Sequence, residues 1–464
     1  MSVPRTQAFL VDKIALLGVL AIYVLDVSCA DQRDAEPVPS AVSTATSETA
    51  RVTGDARIKN VILITLDTLR ADHVGLYGYE RATTPNLDRF AEEAVVFERA
   101  FAQASSTRPS HQSLFQSRPA SAAERNGLAL AQVLAESGFR TAAFTGGGNI
   151  SSKLGFAQGF EIYEESDTGL AGSLPKAASW IREHRQERFF LFLHTYDIHL
   201  PYDPPEPHAS MFTESYDGPI RGDNTRETLR RVRHLDGHTD DVAELDARDR
   251  ERVVALYDGG IHYTDAQLAH FFILMNELDL DRDTLVIFIS DHGEEFWDHG
   301  SAIHSHTLYR ELLHVPLLIR APGMTPTRVA TTIPLMDLAP SILELLEVPL
   351  PAQFQGRSFS GLIAGTETGD RPVISEQRSL KSWMEYPWKL IRGESADDLQ
   401  LFNLADDPLE QTNLADARSD IAERLGAKLD ARIAGNTARE VLELEPGIDD
   451  PEHLKQLRAL GYIQ

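Results

Sequence analysis

VILITLDT, residues 61–68, is a run of strand-forming residues that leads directly into a carboxylate, Asp67. Four further stretches are predominantly apolar along their length, at residues 141–146, 189–194, 284–290 and 315–320. Continuous apolar runs, in contrast to alternating ones, are typical of parallel strands that are covered on both faces. Helices are predicted between them, at residues 86–97, 131–138 and 255–278. The sequence therefore predicts an α/β fold with a doubly wound, mostly parallel sheet flanked by helices.

Polar side chains follow three of these strands at the point where each one ends. They are Asp67 and Thr68, then His194, Asp197 and His199, and finally Asp291 and His292. In open α/β sheets, ligands bind beyond the carboxyl ends of the strands. A single Asp after a strand is often only a helix cap, but three such segments are expected at one edge of the sheet. Asp67, Asp291 and His292 form an oxygen-rich set with one imidazole, which suits Ca²⁺, Mn²⁺ or Zn²⁺.

Residues 105–111, SSTRPSH, predict the start of a helix. Pro109 fits the first turn, where its missing N–H costs nothing. Thr107 would then lie at the positive end of the helix, where free amides favour an anion. One interpretation is a plain hydroxyl cap. The other is a nucleophile that attacks an ester of a strong acid beside a metal.

The composition limits the class of partner, and the sequence pattern after residue 203 predicts how the chain is divided into an insertion and a C-terminal sub-domain. The 464 residues exceed one typical domain, and 70 acidic against 44 basic residues give a net charge of −26. This charge argues against nucleic acid as a partner, because phosphates are bound by basic surfaces. Residues 203–250 predict an irregular insertion near the site. Short antiparallel strands are predicted at 372–379, 386–393 and 399–405, with a helix at 415–433, in a small C-terminal sub-domain.

The N-terminus predicts export. An apolar run from Ile14 to Leu25 follows Arg5 and Lys13. It is shorter than the ~20 apolar residues of a membrane-spanning helix and has the length of a secretory signal core. Cys29, the one cysteine of the chain, lies just after it, which suggests a bacterial lipoprotein anchored in the membrane through this residue. Cleavage after Ala30 is the alternative. We expect a periplasmic protein or a cell-envelope lipoprotein.

These motifs together resemble the sulfatase family of the alkaline phosphatase superfamily. The resemblance is carried by residues 60–103, by HTYDIHLPY (194–202), by IFISDHGEEFWDHG (287–300) and by DLAPSILELLEVP (337–349). It covers about residues 58–464 and implies a sulfatase-like, that is alkaline phosphatase-like, α/β fold. It also implies one divalent metal, with Ca²⁺ expected and Zn²⁺ or Mn²⁺ as alternatives. The substrate would be a sulfate or phosphate ester of a small molecule or a glycan.

The resemblance assigns roles to individual residues. Asp67, Asp291 and His292 match metal ligands, and Thr107, which matches the nucleophile, is expected at the metal as well. The remaining assignments are His111 as a group that orients or neutralises the ester anion, His199 as a histidine that binds this anion with His194 close enough to help, and His304 and His306 near a lysine that contacts the anion. The imidazoles of His194, His199 and His306 are expected to stabilise the charge and protonate the leaving group. The predicted segments are a signal at residues 1–30, a flexible linker at 31–58, a catalytic domain at 59–370 and the sub-domain at 371–464.

Four positions depart from the family pattern. Thr107 replaces the cysteine that sulfatases convert to formylglycine, His111 replaces an arginine, and Thr68 replaces a metal-binding Asp. TGGGNIS (145–151) replaces a segment with a lysine and a histidine. A formylglycine hydrate releases sulfate by collapsing to the aldehyde, whereas a threonine ester must itself be hydrolysed. Two alternatives therefore stay open: a phosphatase or phosphotransferase that uses Thr107, and a sulfatase-like binding protein without catalysis.

Overall fold

A computed structural model describes residues 57–213, 215–232, 245–395, 398–435 and 450–460. The predicted signal segment, Cys29 and nearly all of the predicted linker lie outside the described residues. All described residues belong to one contact unit that spans residues 49–464. In this part of the chain, no helix is long and apolar enough to cross a membrane.

The strands and helices alternate along most of the chain. The strands are β1 (Asn60–Leu66), β2 (Val95–Phe101), β3 (Arg140–Thr145), β4 (Ile162–Glu165), β5 (Phe189–Thr195), β6 (Thr284–Ile289), β7 (Glu295–Phe296), β8 (Ala302–Ile303), β9 (His314–Arg320), β10 (Thr327–Pro334), β11 (Val373–Gln377), β12 (Leu380–Glu385), β13 (Trp388–Arg392) and β14 (Gln400–Asn403). The helices are α1 (Pro85–Ala91), α2 (Thr107–Gln116), α3 (Leu130–Glu136), α4 (Gly169–His184), α5 (His208–Met211), α6 (Thr225–Val232), α7 (Ala247–Glu277), α8 (Arg310–Leu313), α9 (Leu338–Leu345), α10 (Ser360–Ile363), α11 (Ser419–Ala434) and α12 (Pro451–Ala459).

The main sheet of the described chain has eight strands in the order β10-β2-β9-β6-β1-β5-β3-β4. Its pairs are parallel except that β9 runs antiparallel to both β6 and β2. The predicted mostly parallel α/β sheet is confirmed, and all five predicted runs form strands. The parallel direction expected for 315–320 is wrong. The chain after β6 stays at the carboxyl edge and, without a crossover helix to carry it back, re-enters the sheet in the opposite direction.

The sheet has an apolar core on each face. Val61 and Leu63 of β1 belong to one core cluster, whereas Ile62 and Ile64 belong to the other, and all four side chains are fully buried. Helices α2, α3 and α9 contribute to the first cluster, and α1, α4 and α7 to the second. Because successive side chains of a strand point to opposite faces, a strand between two helical layers must be apolar throughout. Each such burial contributes roughly 1.5–3 kcal/mol.

Two local predictions need correction. Residues 86–97 were expected to form one helix, but α1 ends at Ala91 and the following VVF opens β2. The β-branched and aromatic residues there fit a strand because β9 and β10 pair with it on either side. The insertion at 203–250 was expected to be irregular, yet its described part contains α5, α6 and the start of α7.

The C-terminal part forms the predicted small antiparallel sheet, in the order β11-β12-β13-β14. The strand β12 lies between two of the predicted strands and pairs with both β11 and β13. Helix α11 packs on this sheet, with Leu425 fully buried against Leu390 and Leu401. The boundary between residues 370 and 371 stays a prediction.

Candidate active site

Three neighbouring strands deliver the polar residues to one edge of the sheet. β1 lies between β5 and β6, and Thr65 is in register with His194 on one side and Ile289 on the other. The first residue after β1 is Asp67, whose backbone N–H donates to Thr195 O at 3.2 Å. The next backbone N–H, of Thr68, donates to Asp291 Oδ1 at 3.4 Å. The predicted convergence of these segments is confirmed.

Asp67, Asp291 and His292 form a group that can hold a metal ion. Their candidate ligand atoms lie within 4.8 Å of one another, and all three side chains are fully buried. Asp67 Oδ1 and Asp291 Oδ2 are buried without a hydrogen-bond partner in the described structure. Burying ionised oxygens without a partner is costly, and a cation between them removes that cost. The donor set therefore fits a divalent cation.

The electrostatics of the two carboxylates agree with this assignment. Burial, together with the negative charges of Asp291 and Glu294, raises the pKa of Asp67 well above its usual range. Burial acts in the same direction on Asp291, but His292 and His111 outweigh it and lower the pKa of that carboxyl. Two carboxylates this close resist double ionisation until a positive charge joins them.

Thr107 is the first residue of α2 and points at this group. Its Oγ1 lies 3.2 Å from His292 Nε2. His292 Nδ1–H donates to Gly293 O at 2.8 Å, so Nε2 of the neutral imidazole is the ring atom left to accept a hydrogen bond from the threonine hydroxyl or to bind a metal. Ser106, the N-cap residue, makes no capping hydrogen bond, and its hydroxyl donates to Gln377 Oε1 at 2.9 Å. The N-cap position thus belongs to Ser106, and Thr107 is the first helical residue, beside the candidate metal group.

The next turn of α2 supports both Thr107 and Asp291. His111 Nδ1–H donates to Thr107 O at 2.9 Å and lies 3.4 Å from Asp291 Oδ2. Ser110 Oγ donates to Asp291 O at 2.6 Å. His111 is fully buried, so these contacts lie away from solvent. One helical turn therefore positions the candidate nucleophile and one candidate metal ligand together.

His194 contacts the other carboxylate. Its Nε2 lies 3.1 Å from Asp67 Oδ2, and both side chains are fully buried. Burial, and the nearby His111, lower the pKa of His194 well below its usual range, so the neutral imidazole donates Nε2–H to the carboxylate. Imidazole and carboxylate partners of this kind orient metal ligands.

The aromatic rings of the site form a continuous series that starts and ends beside Thr107. Their contacts are His111–His194 at 5.2 Å, His194–Tyr196 at 4.5 Å, Tyr196–His199 at 5.3 Å, His199–His304 at 5.0 Å and His304–His292 at 4.6 Å between ring centroids. The structure thus brings together five of the six predicted histidines. The sixth, His306, lies with Nε2 2.6 Å from Glu295 Oε2.

His199 and His304 are held from behind by acceptors. His199 Nδ1–H donates to Leu200 O at 2.8 Å, and burial, with the positive charge of His304 next, lowers the pKa of His199 to about 3. His304 Nδ1 lies 2.8 Å from Glu294 Oε1, and Glu294 Oε2 accepts from Tyr202 OH at 2.7 Å. Both rings thus have one nitrogen held by the protein.

The sequence analysis assigned no role to two supporting residues, Glu294 and Tyr257. Glu294 holds His304, and its place three residues after Asp291 was the available signal. Tyr257, from the middle of α7, donates from its hydroxyl to Thr68 O at 2.7 Å and accepts from Arg70 N–H at 3.0 Å. Thr68 has φ of +61°, a strained conformation for a β-branched residue, and these bonds hold it there. The segment that begins at Tyr257 (YDGGIHYTDAQL, 257–268) also resembles the family, but the contact with Thr68, 189 residues away, is not visible in the sequence.

Comparison with known proteins assigns the family. The sulfatase family model matches residues 59–348, more than half of the chain, across β1, α2, β5 and β6. The chain belongs to the sulfatase family. A second family model, N-sulphoglucosamine sulphohydrolase C-terminal, matches residues 299–437 of this sulfatase-family chain.

Individual relatives agree with the family model. Human arylsulfatase K is 26% identical over 294 residues, which are 56% of this chain and 54% of the human protein. An arylsulfatase of Clostridium perfringens is 24% identical over 439 residues, covering 76% of this chain and 90% of that protein. The chain spans about half the length of the arylsulfatase K relatives that it matches.

A solved structure supports the fold of this sulfatase-family chain. The phosphonate monoester hydrolase of Agrobacterium radiobacter superposes with a TM-score of 0.64 at 20% identity. The superposition covers 82% of this chain and 96% of the hydrolase. The sulfatase-like architecture expected from the sequence is confirmed.

Proposed function

We propose that this chain hydrolyses a sulfate ester, with a phosphate ester as the alternative, through a covalent intermediate on Thr107. The observation that carries the proposal is the placement of the Thr107 hydroxyl. It lies at the first residue of α2, 3.2 Å from His292 Nε2 and beside the buried carboxylates Asp67 and Asp291. A helix N-terminus binds anions through its free amides and its dipole.

The reaction has two balanced steps. The Thr107 oxygen attacks sulfur or phosphorus, a new O–S or O–P bond forms, and the bond to the alcohol oxygen breaks. The proton of the threonine hydroxyl leaves with the alcohol. Water then attacks the same sulfur or phosphorus, which restores the Thr107 hydroxyl and releases sulfate or phosphate.

Asp67, Asp291 and His292 would hold the divalent metal, which we propose to be Ca²⁺, with Zn²⁺ or Mn²⁺ as alternatives. When bound, the cation supplies positive charge that favours the ionised threonine oxygen and the non-bridging oxygens of the ester. His194 keeps Asp67 oriented through its hydrogen bond to Oδ2. His111 fixes the backbone of Thr107 and lies 3.4 Å from Asp291 Oδ2.

His199 and His304 complete the proposed site on the side away from α2. Each has one ring nitrogen held by the protein, at Leu200 O and Glu294 Oε1, so the orientation of each ring is set before substrate binds. We propose that the bound ester anion favours the protonated form of these rings, in which the other ring nitrogen donates to the ester oxygens and passes its proton to the leaving oxygen. His306, held by Glu295, is proposed to support the loop that carries His304.

The threonine favours phosphoryl chemistry more than a formylglycine would. A threonine ester must be hydrolysed by water, as expected for phosphate esters on hydroxyl side chains of the superfamily. This supports phosphate ester hydrolysis, or transfer of the phosphoryl group to an alcohol, as the second candidate function. The Agrobacterium hydrolase, named for phosphonate monoesters, is consistent with it.

The biological setting is proposed from the sequence. The apolar run before Cys29 supports export to the periplasm or the cell envelope, with the cysteine as a lipid anchor. A sulfated or phosphorylated small molecule or glycan would then reach the site from outside the cytoplasm.

Replacing Thr107 tests the proposal. Thr107→Ala should lower turnover of phenyl sulfate and phenyl phosphate by about 10³-fold or more, because covalent catalysis is lost while charge stabilisation remains. Thr107→Ser should keep substantial turnover, because the hydroxyl remains. Ser106→Ala is the matched control, since its hydroxyl bonds Gln377 and not the metal group. Wild-type turnover by the Thr107→Ala variant would reject Thr107 as the nucleophile.

A further inference from the structure

A cavity of about 540 Å³ opens beside the ring series. Tyr196 and His199 line it, so it adjoins the imidazoles that we assign to the leaving oxygen. One wall comes from the loops that follow β3, β4 and β5. A second wall comes from α12, which is about 250–300 residues further along the sequence and contributes Glu452, Lys455 and Gln456 among others.

Helix α12 is fixed to the loop at residues 145–151. Its fully buried His453 donates from Nε2 to Gly148 O at 3.0 Å, and Asp450 pairs with Lys153 Nζ at 2.9 Å. Gly148 has φ of +61°, and a Cβ added there would overlap with Leu460 Cδ1. The glycines of TGGGNIS therefore provide both the backbone conformation and the space that α12 needs.

Neither family match includes α12, because the two matches end at residues 348 and 437. Arg226 joins the helix to the catalytic side, because its guanidinium donates to Leu200 O at 3.2 Å and to Arg458 O at 3.4 Å. Leu200 O is also the acceptor that holds His199. One carbonyl thus connects α12, through Arg226, with a proposed active-site imidazole.

The cavity has an acidic lining. Its carboxylates are Glu165, Asp167, Asp197, Asp203 and Glu452, and its cationic side chains are Arg226 and Lys455. Five negative and two positive groups give a formal charge of −3. The guanidinium of Arg226 is already bound to two carbonyls, and Lys455 lies 3.8 Å from Glu452. Tyr196 and Tyr263 add aromatic surface, which attracts cations.

We propose that this cavity holds the alcohol portion of the ester, and that it selects an uncharged or cationic alcohol over an anionic one. The proposal rests on the ester hydrolysis proposed above. A net charge of −3 at about 8 Å in water changes binding by about tenfold for each unit of ligand charge. A polyanionic glycan is therefore a poor occupant, although the reacting group itself is an anion.

Matched ligands test the charge preference. Three phenols carry a trimethylammonium, a hydroxyl or a carboxylate group on a methylene spacer, and each is also prepared as its sulfate and phosphate ester. Calorimetry with the full chain should show the cationic phenol binding about tenfold more tightly than the uncharged one, and the anionic phenol about tenfold more weakly. Among the esters, KM should be lowest for the cationic one and highest for the anionic one.

Substitutions in the lining test the residues. Asp167 and Asp203 are exposed, and the double variant Asp167→Asn, Asp203→Asn should reduce the preference for the cation by about fivefold. Glu183→Gln is the matched control, because it lies in the last turn of α4, about 20 Å along the helix from Gly169 at the cavity. This variant should keep the wild-type preference.

A pair of glycine substitutions tests the wall. Gly148→Ala should displace the end of α12 and alter the relative affinities of the three phenols. Gly138→Ala, which imposes the same kind of backbone strain at φ of +85° without any neighbour within 4 Å, should leave them unchanged. Equal effects of the two substitutions would reject α12 as the selecting wall.

The outcomes separate the two proposals. If no ester is cleaved but the phenols bind in the expected order, the hydrolase function is wrong and the cavity assignment stands. If the esters are cleaved but the carboxylate ligand is preferred, or the double variant behaves as Glu183→Gln does, the cavity assignment is wrong and the hydrolase function stands.

Discussion

Replacing Asp67 by Asn should change stability in opposite directions with and without metal. In the metal-free protein, Asp67 and Asp291 place buried oxygens within 4.8 Å of each other, which costs about 3 kcal/mol if both are ionised. Burial and Asp291 raise the pKa of Asp67, so protonation removes part of this cost. The Asp67→Asn variant should therefore be about 1–2 kcal/mol more stable than the wild type in chelator.

Saturating metal should reverse the order. A ligand at 100 times its Kd stabilises the native state by about 2.7 kcal/mol. For a chain of 464 residues this corresponds to a rise in Tm of about 3 °C. The Asn variant has lost one carboxylate ligand and should gain little of this stabilisation. Calorimetric scans in chelator and in Ca²⁺, Mn²⁺ or Zn²⁺ measure both values.

Asp258→Asn is the control for burial of a carboxylate. Asp258 is as buried as Asp67, but its oxygens bond His73, Tyr79 and Arg81. It should lower Tm by the same amount with and without metal. A wild-type Tm that no divalent cation raises, or an Asp67→Asn variant that gains as much as the wild type, would refute the metal assignment.

Two other predictions concern stability and export. Burial, and then Arg310, lower the pKa of His314 in the folded protein to about 3, below its unfolded value of about 6.5. The contribution of the neutral ring to the stability of the folded protein is therefore complete above pH 6.5 and is lost as the pH falls. Between pH 7 and pH 5 the free energy of unfolding of the wild type should fall by about 2 kcal/mol from this residue, and His314→Gln should not show this part of the fall. Denaturant unfolding of both proteins at the two pH values measures the difference. Equal losses in the two proteins would contradict the assignment. Cys29→Ser should move the protein from the membrane fraction to the soluble fraction, and a variant that stays with the membrane would exclude acylation of Cys29.

The strands of the sheet were predictable from the sequence where both of their faces are buried. VILITL at β1 is apolar because both faces are covered, and that pattern is visible in the sequence alone. The direction of β9 was not predictable, because an apolar run carries no sign of its orientation. The strand β2 was missed because its pairing partners, β9 and β10, come more than 200 residues later.

The candidate site, like the sheet, was predictable from the sequence only in part. Residue types and their places after strands sufficed to name Asp67, Asp291 and His292, since parallel strands end at one edge and carboxylates there have few structural roles. Thr107 could be named as a candidate from its place before Pro109, but its distance from His292 could not be predicted from the sequence. That distance is set by the packing of α2 against the end of β6.

The sequence by itself determined the α/β class, the edge at which the site lies and the residue types of the metal group. Only the tertiary structure placed His194 on Asp67, closed the ring series around Thr107 and brought α12 to the cavity. The first set depends on local periodicity and chain direction, which neighbouring residues encode. The second set depends on contacts between residues tens to hundreds of positions apart, where side-chain packing and the space left by glycines such as Gly148 fix the geometry.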